Sequence, residues 1–191
     1  LNWQEICQMI PKRKADAQKG DFGRLLCITG SRNMPGACLL STQAALRGGA
    51  GLVTVATAPE NPMRLAAAAP EAMWLPLETD EAGFLRSSDQ NRKTLEKQLS
   101  RANAVLLGCG LGVTEETRRL VHWVLEQTVC PVVLDADGLN CAVSCIELSR
   151  RTGKDWILTP HPGEMARLTG RSIPQIQENR VETATQFAAA Y

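Results

Sequence analysis

RLLCITGSRNMPGACLLSTQAALRGGAGLVTVAT, Arg24 to Thr57, decides the fold. It opens on a short apolar run with almost no polar alternation, turns through a loop rich in polar and glycine residues, and continues as a helix-length segment. GGAG then breaks that segment, and LVTVAT forms a second short apolar run. Short, continuous apolar runs suit strands covered on both faces, as in a parallel sheet. A helix between two such strands supplies the long crossover that a parallel pair needs.

Working outward, the same alternation fills the chain. Strands are predicted at 24–30, 52–57, 72–77, 103–108, 131–135 and 155–160, and helical spacing marks 37–49, 87–100, 114–128 and a last helix from Ile173 to Tyr191. In 114–128, Leu120, Val124 and Leu125 share one face while Glu115, Glu116 and Arg119 populate the other. Thr114 is a plain N-cap there, because Thr117 holds the third position where a capping box wants Glu or Gln. Leu77 to Ser88 reads as loop. This pattern predicts an α/β domain with a doubly wound, mostly parallel sheet and helices on both faces, a Rossmann-like three-layer arrangement.

Composition narrows the function. The 191 residues suffice for one domain with a real core, and a net charge of +1 provides no field for nucleic acid or an anionic membrane. No apolar run approaches the roughly 20 residues of a membrane helix, and LNWQEICQMIPKRK has no signal-peptide core. The chain does not begin with Met, so trimming or excision from something longer is expected. The seven cysteines contain no C-x-x-C pair and sit mostly in apolar surroundings, which predicts reduced, buried thiols in a cytoplasmic protein.

Four strand ends carry unusual chemistry, at the position where open parallel sheets bind ligands. In ITGSRNMPGA, Gly30 and Gly36 bracket a polar loop before a helix starting near Pro35; it is either a tight turn or a place where backbone and helix N-terminus meet an anion. In LLGCGLG, Gly108, Gly110 and Gly112 alternate after a strand, which a backbone lying against a ligand would explain. In VVLDADGLN, one of Asp135 and Asp137 is expected to cap the next helix while the other serves the pocket, by ribose contact or by a Mg2+ ion through water. In LTPHPGEMARL, Pro162 fits the first helical position, which makes His161 the N-cap and Glu164 the N3 acid of a capping box. A metal pair there is disfavoured, since the other histidine, His122, lies in an amphipathic helix and no further ligand set is evident. Imidazole is an inferior cap, so His161 is expected to contact a ligand.

In this order and spacing the four corners, from about Lys19 to Gly170, resemble the NAD(P)H-hydrate dehydratase family, the ribokinase-like, carbohydrate-kinase-related domain of nicotinamide nucleotide repair. The resemblance implies a lyase that uses ADP or ATP with Mg2+ to phosphorylate the C6 hydroxyl of hydrated NADH or NADPH, after which phosphate leaves. It implies a substrate side made by Asn33, Gly36 and Ala37, by Gly110 and Gly112, by Asp137, and by Thr159, His161 and Glu164. It also implies a homo-oligomer, and an epimerase domain before residues 1–18, which then form a linker or N-terminal helix leading into a partial dehydratase domain at 19–191. The family's nucleotide-binding elements and its catalytic aspartate are expected beyond Tyr191. Gln18 and Cys109 depart from the family's usual histidine and proline. Two other readings stay open: a catalytically incomplete nucleotide-binding relative, or a kinase of a small alcohol of the hydroxymethylpyrimidine or hydroxyethylthiazole type.

Overall fold

The apolar runs become strands, those in the middle of the sheet covered on both faces and those at its edges leaving Met73 and Ile157 about half exposed. A computed structural model describes residues 2–9, 12–152 and 155–191. Along the chain, α1 (Trp3–Met9) and a 3-10 turn (Lys19–Phe22) lead into β1 (Arg24–Ile28), followed by α2 (Pro35–Arg47), β2 (Leu52–Thr57), α3 (Asn61–Leu65) and β3 (Met73–Pro76). Then come α4 (Asp89–Leu99), β4 (Ala104–Leu107), α5 (Glu115–Gln127) and β5 (Val132–Leu134). The chain closes with α6 (Asp137–Ala142), α7 (Leu148–Thr152), β6 (Trp156–Leu158), α8 (Pro162–Thr169), α9 (Ile173–Glu178) and α10 (Arg180–Ala190).

All five strand pairings are parallel, and the sheet order is β3-β2-β1-β4-β5-β6. The chain steps outward from β1 through β2 to β3, then returns to β4 on the other side of β1. That reversal creates a crevice between the carboxyl ends of β1 and β4. Two apolar layers hold the sheet. Leu26, Ile28, Val105, Leu107, Val132 and Leu134 pack with Leu95 and Leu99 of α4 and with Leu120, Val121, Val124 and Leu125 of α5. On the opposite face, Cys27, Val53 and Val55 pack with Cys38 of α2. Burial of this kind, at roughly 25 cal/mol per Å² of apolar surface, is the main term favouring the sandwich.

Two details differ from the sequence expectation, and a third sharpens it. The last helix is two, α9 and α10, because the backbone leaves helical geometry at Asn179 (φ −138°, ψ 54°). At the start of α5 a capping box does form, with the Thr117 hydroxyl replacing a carboxylate: it accepts from Thr114 N at 2.8 Å, and Thr117 N donates to Thr114 Oγ1 at 3.1 Å. A threonine at N3 reaches back because its hydroxyl stands close to the backbone. Finally, the segment 77–88 is loop as expected, with no named helix or strand, and it is anchored. Leu77 and Leu85 are buried, and Thr79 and Leu85 form an isolated antiparallel bridge. Of the N-terminal segment, Leu1, Ile10 and Pro11 lie outside the described residues, as do Gly153 and Lys154.

Candidate functional site

The four corners meet at the crevice and are tied in sequence, each to the next. Gly30 N donates to Cys109 O at 2.9 Å and Ser31 N to Gly110 O at 2.7 Å, joining the first corner to the second. Gly112 N donates to Asp137 Oδ2 at 2.8 Å, and the Cys109 thiol donates to Asp135 Oδ2 at 3.4 Å, joining the second to the third. Thr159 Oγ1 donates to Asp135 Oδ1 at 2.8 Å, joining the third to the fourth.

The first corner leaves helix dipole exposed. Met34 is the N-cap of α2 but makes no side-chain cap bond, and a β-carbon on Gly36 would meet nothing within 4 Å. With Gly36 exposed and no side-chain cap, the start of this 13-residue helix is open and suits an anionic group. Ala37 sits in the same turn, against Gly110.

The alternating glycines have a structural explanation that the sequence did not show. A β-carbon at Gly108 would lie 2.0 Å from Asp135 O, one at Gly110 2.8 Å from the Ala37 β-carbon, and one at Gly112 2.2 Å from Phe84 Cε1. Each bare α-carbon is the contact point for a neighbouring element, so packing alone requires these glycines. A ligand is not needed to account for them.

The third corner also differs from expectation. Neither aspartate caps α6 with its side chain: the N-cap is Ala136, with no side-chain cap bond. Asp135 instead bridges Cys109 and Thr159, while Asp137 holds Gly112. Between them Ala136 adopts φ 49° and ψ −120°, a region that favours glycine and costs a side-chain-bearing residue on the order of 1–3 kcal/mol.

At the fourth corner α8 starts as expected. Pro162 is the first helical residue, Glu164 Oε2 accepts from His161 N at 2.9 Å, and the carboxylate is buried. The His161 ring is used more fully than expected. Its Nδ1 accepts from Gly163 N at 3.0 Å and Glu164 N at 3.4 Å, and its Nε2 lies 3.2 Å from Glu164 Oε1. This pattern requires the Nε2–H tautomer. Both nitrogens are engaged, yet the side chain remains 63% exposed, so the ring offers its face and carbon edge to a ligand.

One wall was missed at the sequence level. Arg32 N donates to Gly83 O, Arg32 Nη1 donates to Glu81 O, and Arg32 Nε pairs with Glu60 Oε1 at 2.7 Å, while Asn33 Nδ2 reaches Ala82 O. Phe84 then lies against Gly112. These contacts bring segment 80–84 against the GSRN loop. The available signal was TDEAGF: Asp80 Oδ1 accepts from Phe84 N, a turn that an Asp followed three residues later by Gly often marks.

The thiols are all free, and six are buried or half-buried; Cys7, contrary to expectation, is exposed. Burial, then the nearby Asp135 carboxylate, pushes the Cys109 thiol up to about 12, so it acts as a donor and not as a thiolate. Among the described residues no three His, Cys, Asp or Glu side chains gather as metal ligands, and both corner aspartates already have partners. Mg2+ usually takes one or two protein carboxylates and completes its shell with phosphate and water; among the described residues there is no all-protein metal cage at these corners.

A doubly wound parallel sheet with its loops and one uncapped helix start gathered at the switch point defines a small-molecule-binding α/β domain. The sequence matches the NAD(P)H-hydrate dehydratase family over residues 25–191, and the chain belongs to that family. It is 38% identical over 191 residues to the bifunctional NAD(P)H-hydrate repair enzyme of Coxiella burnetii, covering 100% of this chain and 36% of the relative. Among solved structures it resembles a ribokinase-like superfamily protein from Enterococcus faecalis, with TM-score 0.78 and 26% identity, over 95% of this chain and 59% of the other. It also resembles the ADP/ATP-dependent NAD(P)H-hydrate dehydratase of Bacillus subtilis co-crystallized with ATP/Mg2+, with TM-score 0.72 and 31% identity, over 95% and 59%. The fold is thus ribokinase-like. The chain spans about a third of the bifunctional relative and about three-fifths of the two solved chains.

Proposed function

We propose that this chain is the substrate side of an ADP- or ATP-dependent (S)-NAD(P)H-hydrate dehydratase, a lyase that returns hydrated NADH or NADPH to the reduced cofactor. The family match over residues 25–191, on a chain whose four corners are joined, carries the reading. In it, the uncapped start of α2, with Asn33, Gly36 and Ala37, receives a phosphate of the dinucleotide. The exposed ring of His161 lies against the substrate, and Glu164 holds that ring in place. Gly110 and Gly112 shape the wall next to Ala37 and Asp137, and Thr159 fixes the Asp135 carboxylate. The adenine nucleotide and its Mg2+ are assigned to the part of the relatives' length that this chain does not span. A fused or partner epimerase, a homo-oligomeric assembly and a cytoplasmic location complete the proposal; among the described residues no helix is long and apolar enough to cross a membrane.

The test follows the return of NADH absorbance from hydrated NADH, with ADP or ATP, using the whole protein that contains this chain. Recovery that requires the nucleotide supports the reading. Turnover of a hydroxymethylpyrimidine or hydroxyethylthiazole instead would replace it with the kinase.

A further inference from the structure

At the end of the sheet opposite the four corners, a cavity of about 250 Å³ opens between the starts of β1, β2 and β3 and the end of α4. Strand alternation puts Leu26, Leu52, Thr54 and Leu75 on the same sheet face, and all four line it. Elsewhere that face is closed: Ile28, Val105, Leu107 and Leu134 are fully buried under α4, α5 and their neighbours. Here Leu52, Thr54 and Leu75 are only half-buried, and Met73 at the edge is 45% exposed. The apolar layer is therefore unfinished at this corner of the sheet.

Two exposed arginines, Arg24 and Arg101, line the same cavity together with Gln98. Among the described residues neither guanidinium has an ion-pair or hydrogen-bond partner, whereas Arg32, Arg119 and Arg150 each pair with a glutamate. Two unpaired forks beside an uncovered apolar floor call for a ligand that is anionic at one end and apolar at the other. A guanidinium fork matches a carboxylate through two parallel N–H bonds. The partial negative charge at the end of α4, about half a unit, is outweighed by two full positive charges. The volume falls below the roughly 300 Å³ at which pockets begin to hold drug-sized ligands, which limits the occupant to a short chain.

We propose that this cavity binds a small amphipathic anion, an aliphatic carboxylate whose tail lies on Leu26, Leu52 and Leu75 and whose head group is held by Arg24 and Arg101. The site is separate from the glycine corners, because Arg24 begins the strand whose other end carries Gly30. It therefore stands whether or not the dehydratase reading does.

Octanoate is the probe. The Met73 methyl resonance is followed in the whole protein during titration to about 10 mM, which detects millimolar or tighter binding. A saturable Met73 shift is expected, weakened about tenfold or more in Arg24→Gln/Arg101→Gln and absent in Thr54→Phe, which fills the floor. Octanamide, of the same length and uncharged, should bind about tenfold more weakly than octanoate. Circular dichroism melts confirm that both variants fold, and a variant that does not is replaced by the single Arg101→Gln. No Met73 shift with octanoate, or a shift of equal affinity in the arginine variant or with octanamide, overturns the proposal.

Discussion

His161 and Glu164 hold one another twice: the carboxylate accepts the His161 backbone N–H at 2.9 Å, and its other oxygen lies 3.2 Å from the ring Nε2. The ring in turn caps α8 through Nδ1. Helix capping and ring orientation are thus one arrangement, and a substitution can separate them. His161→Ser keeps a good cap and should melt within a few tenths of a kcal/mol of the parent, whereas His161→Ala should cost about 0.5–2 kcal/mol. Both should weaken binding of NADPH, used as a substrate analogue, by about tenfold or more, close to 1.4 kcal/mol. Calorimetry checks the affinity and thermal melts the stability. Parent-like NADPH affinity in His161→Ser would remove the ring from the site.

Gly112→Ala should destabilise by about 1–3 kcal/mol, because its β-carbon would enter the Phe84 ring and its φ of 77° disfavours any side chain. Phe84→Ala in the same molecule removes the collision and leaves only the backbone strain. The double variant should therefore lose about 1–2 kcal/mol less than the two single losses added together. Urea midpoints of the four proteins measure this coupling. Simple additivity would mean that ring and glycine do not meet.

The thiols give a pH signature. Burial is the largest cause raising Cys27 and Cys109 to about 12 and Cys145 to about 11, and it also raises Cys38 and Cys141. Unfolded thiols titrate near 9.0. The folded state thus holds more protons than the unfolded state between 9 and about 11–12, so this contribution to stability is complete below 9 and declines as pH rises through that window. Melting temperature should fall steadily above pH 9. At neutral pH, a thiol reagent should label the exposed Cys7 rapidly and the remaining six only on unfolding. Fast labelling of Cys109 would contradict its role as a neutral donor to Asp135.

Ala136→Gly should raise stability by about 0.5–1 kcal/mol, since φ 49° with ψ −120° strains alanine and not glycine, and the greater freedom of an unfolded glycine offsets only part of that relief. A thermal melt decides the sign. A drop would show that the alanine methyl makes contacts worth more than the strain.

Most of the fold was legible because its signals are local. Six apolar runs became six strands within two residues of their expected ends, and the start of α8 at Pro162 followed from cap chemistry alone. What escaped depended on tertiary contact. The glycines of LLGCGLG pointed to a ligand, but Asp135, Ala37 and Phe84, remote in sequence, are what press on them. One of Asp135 and Asp137 looked like a cap because aspartate favours that role; their partners, Thr159 and Gly112, lie 24 and 25 residues away. The break at Asn179 sits where neither glycine nor proline gives warning, and the anchoring of loop 77–88 rests on two buried leucines, too few for a period.

β1 has consequences for how the molecule comes to exist. Its neighbour β4 begins with Ala104 paired to Leu25, so nearly eighty residues must be made and gathered before that pairing can close. Every bond that joins one corner to the next uses a residue beyond Ala104. Helices α2 and α5 can form early from local contacts, but the crevice has no precursor in any shorter fragment. A substitution that merely slows the entry of β4 beside β1 would leave chains with full helical content and no site, exposed to proteolysis while they wait.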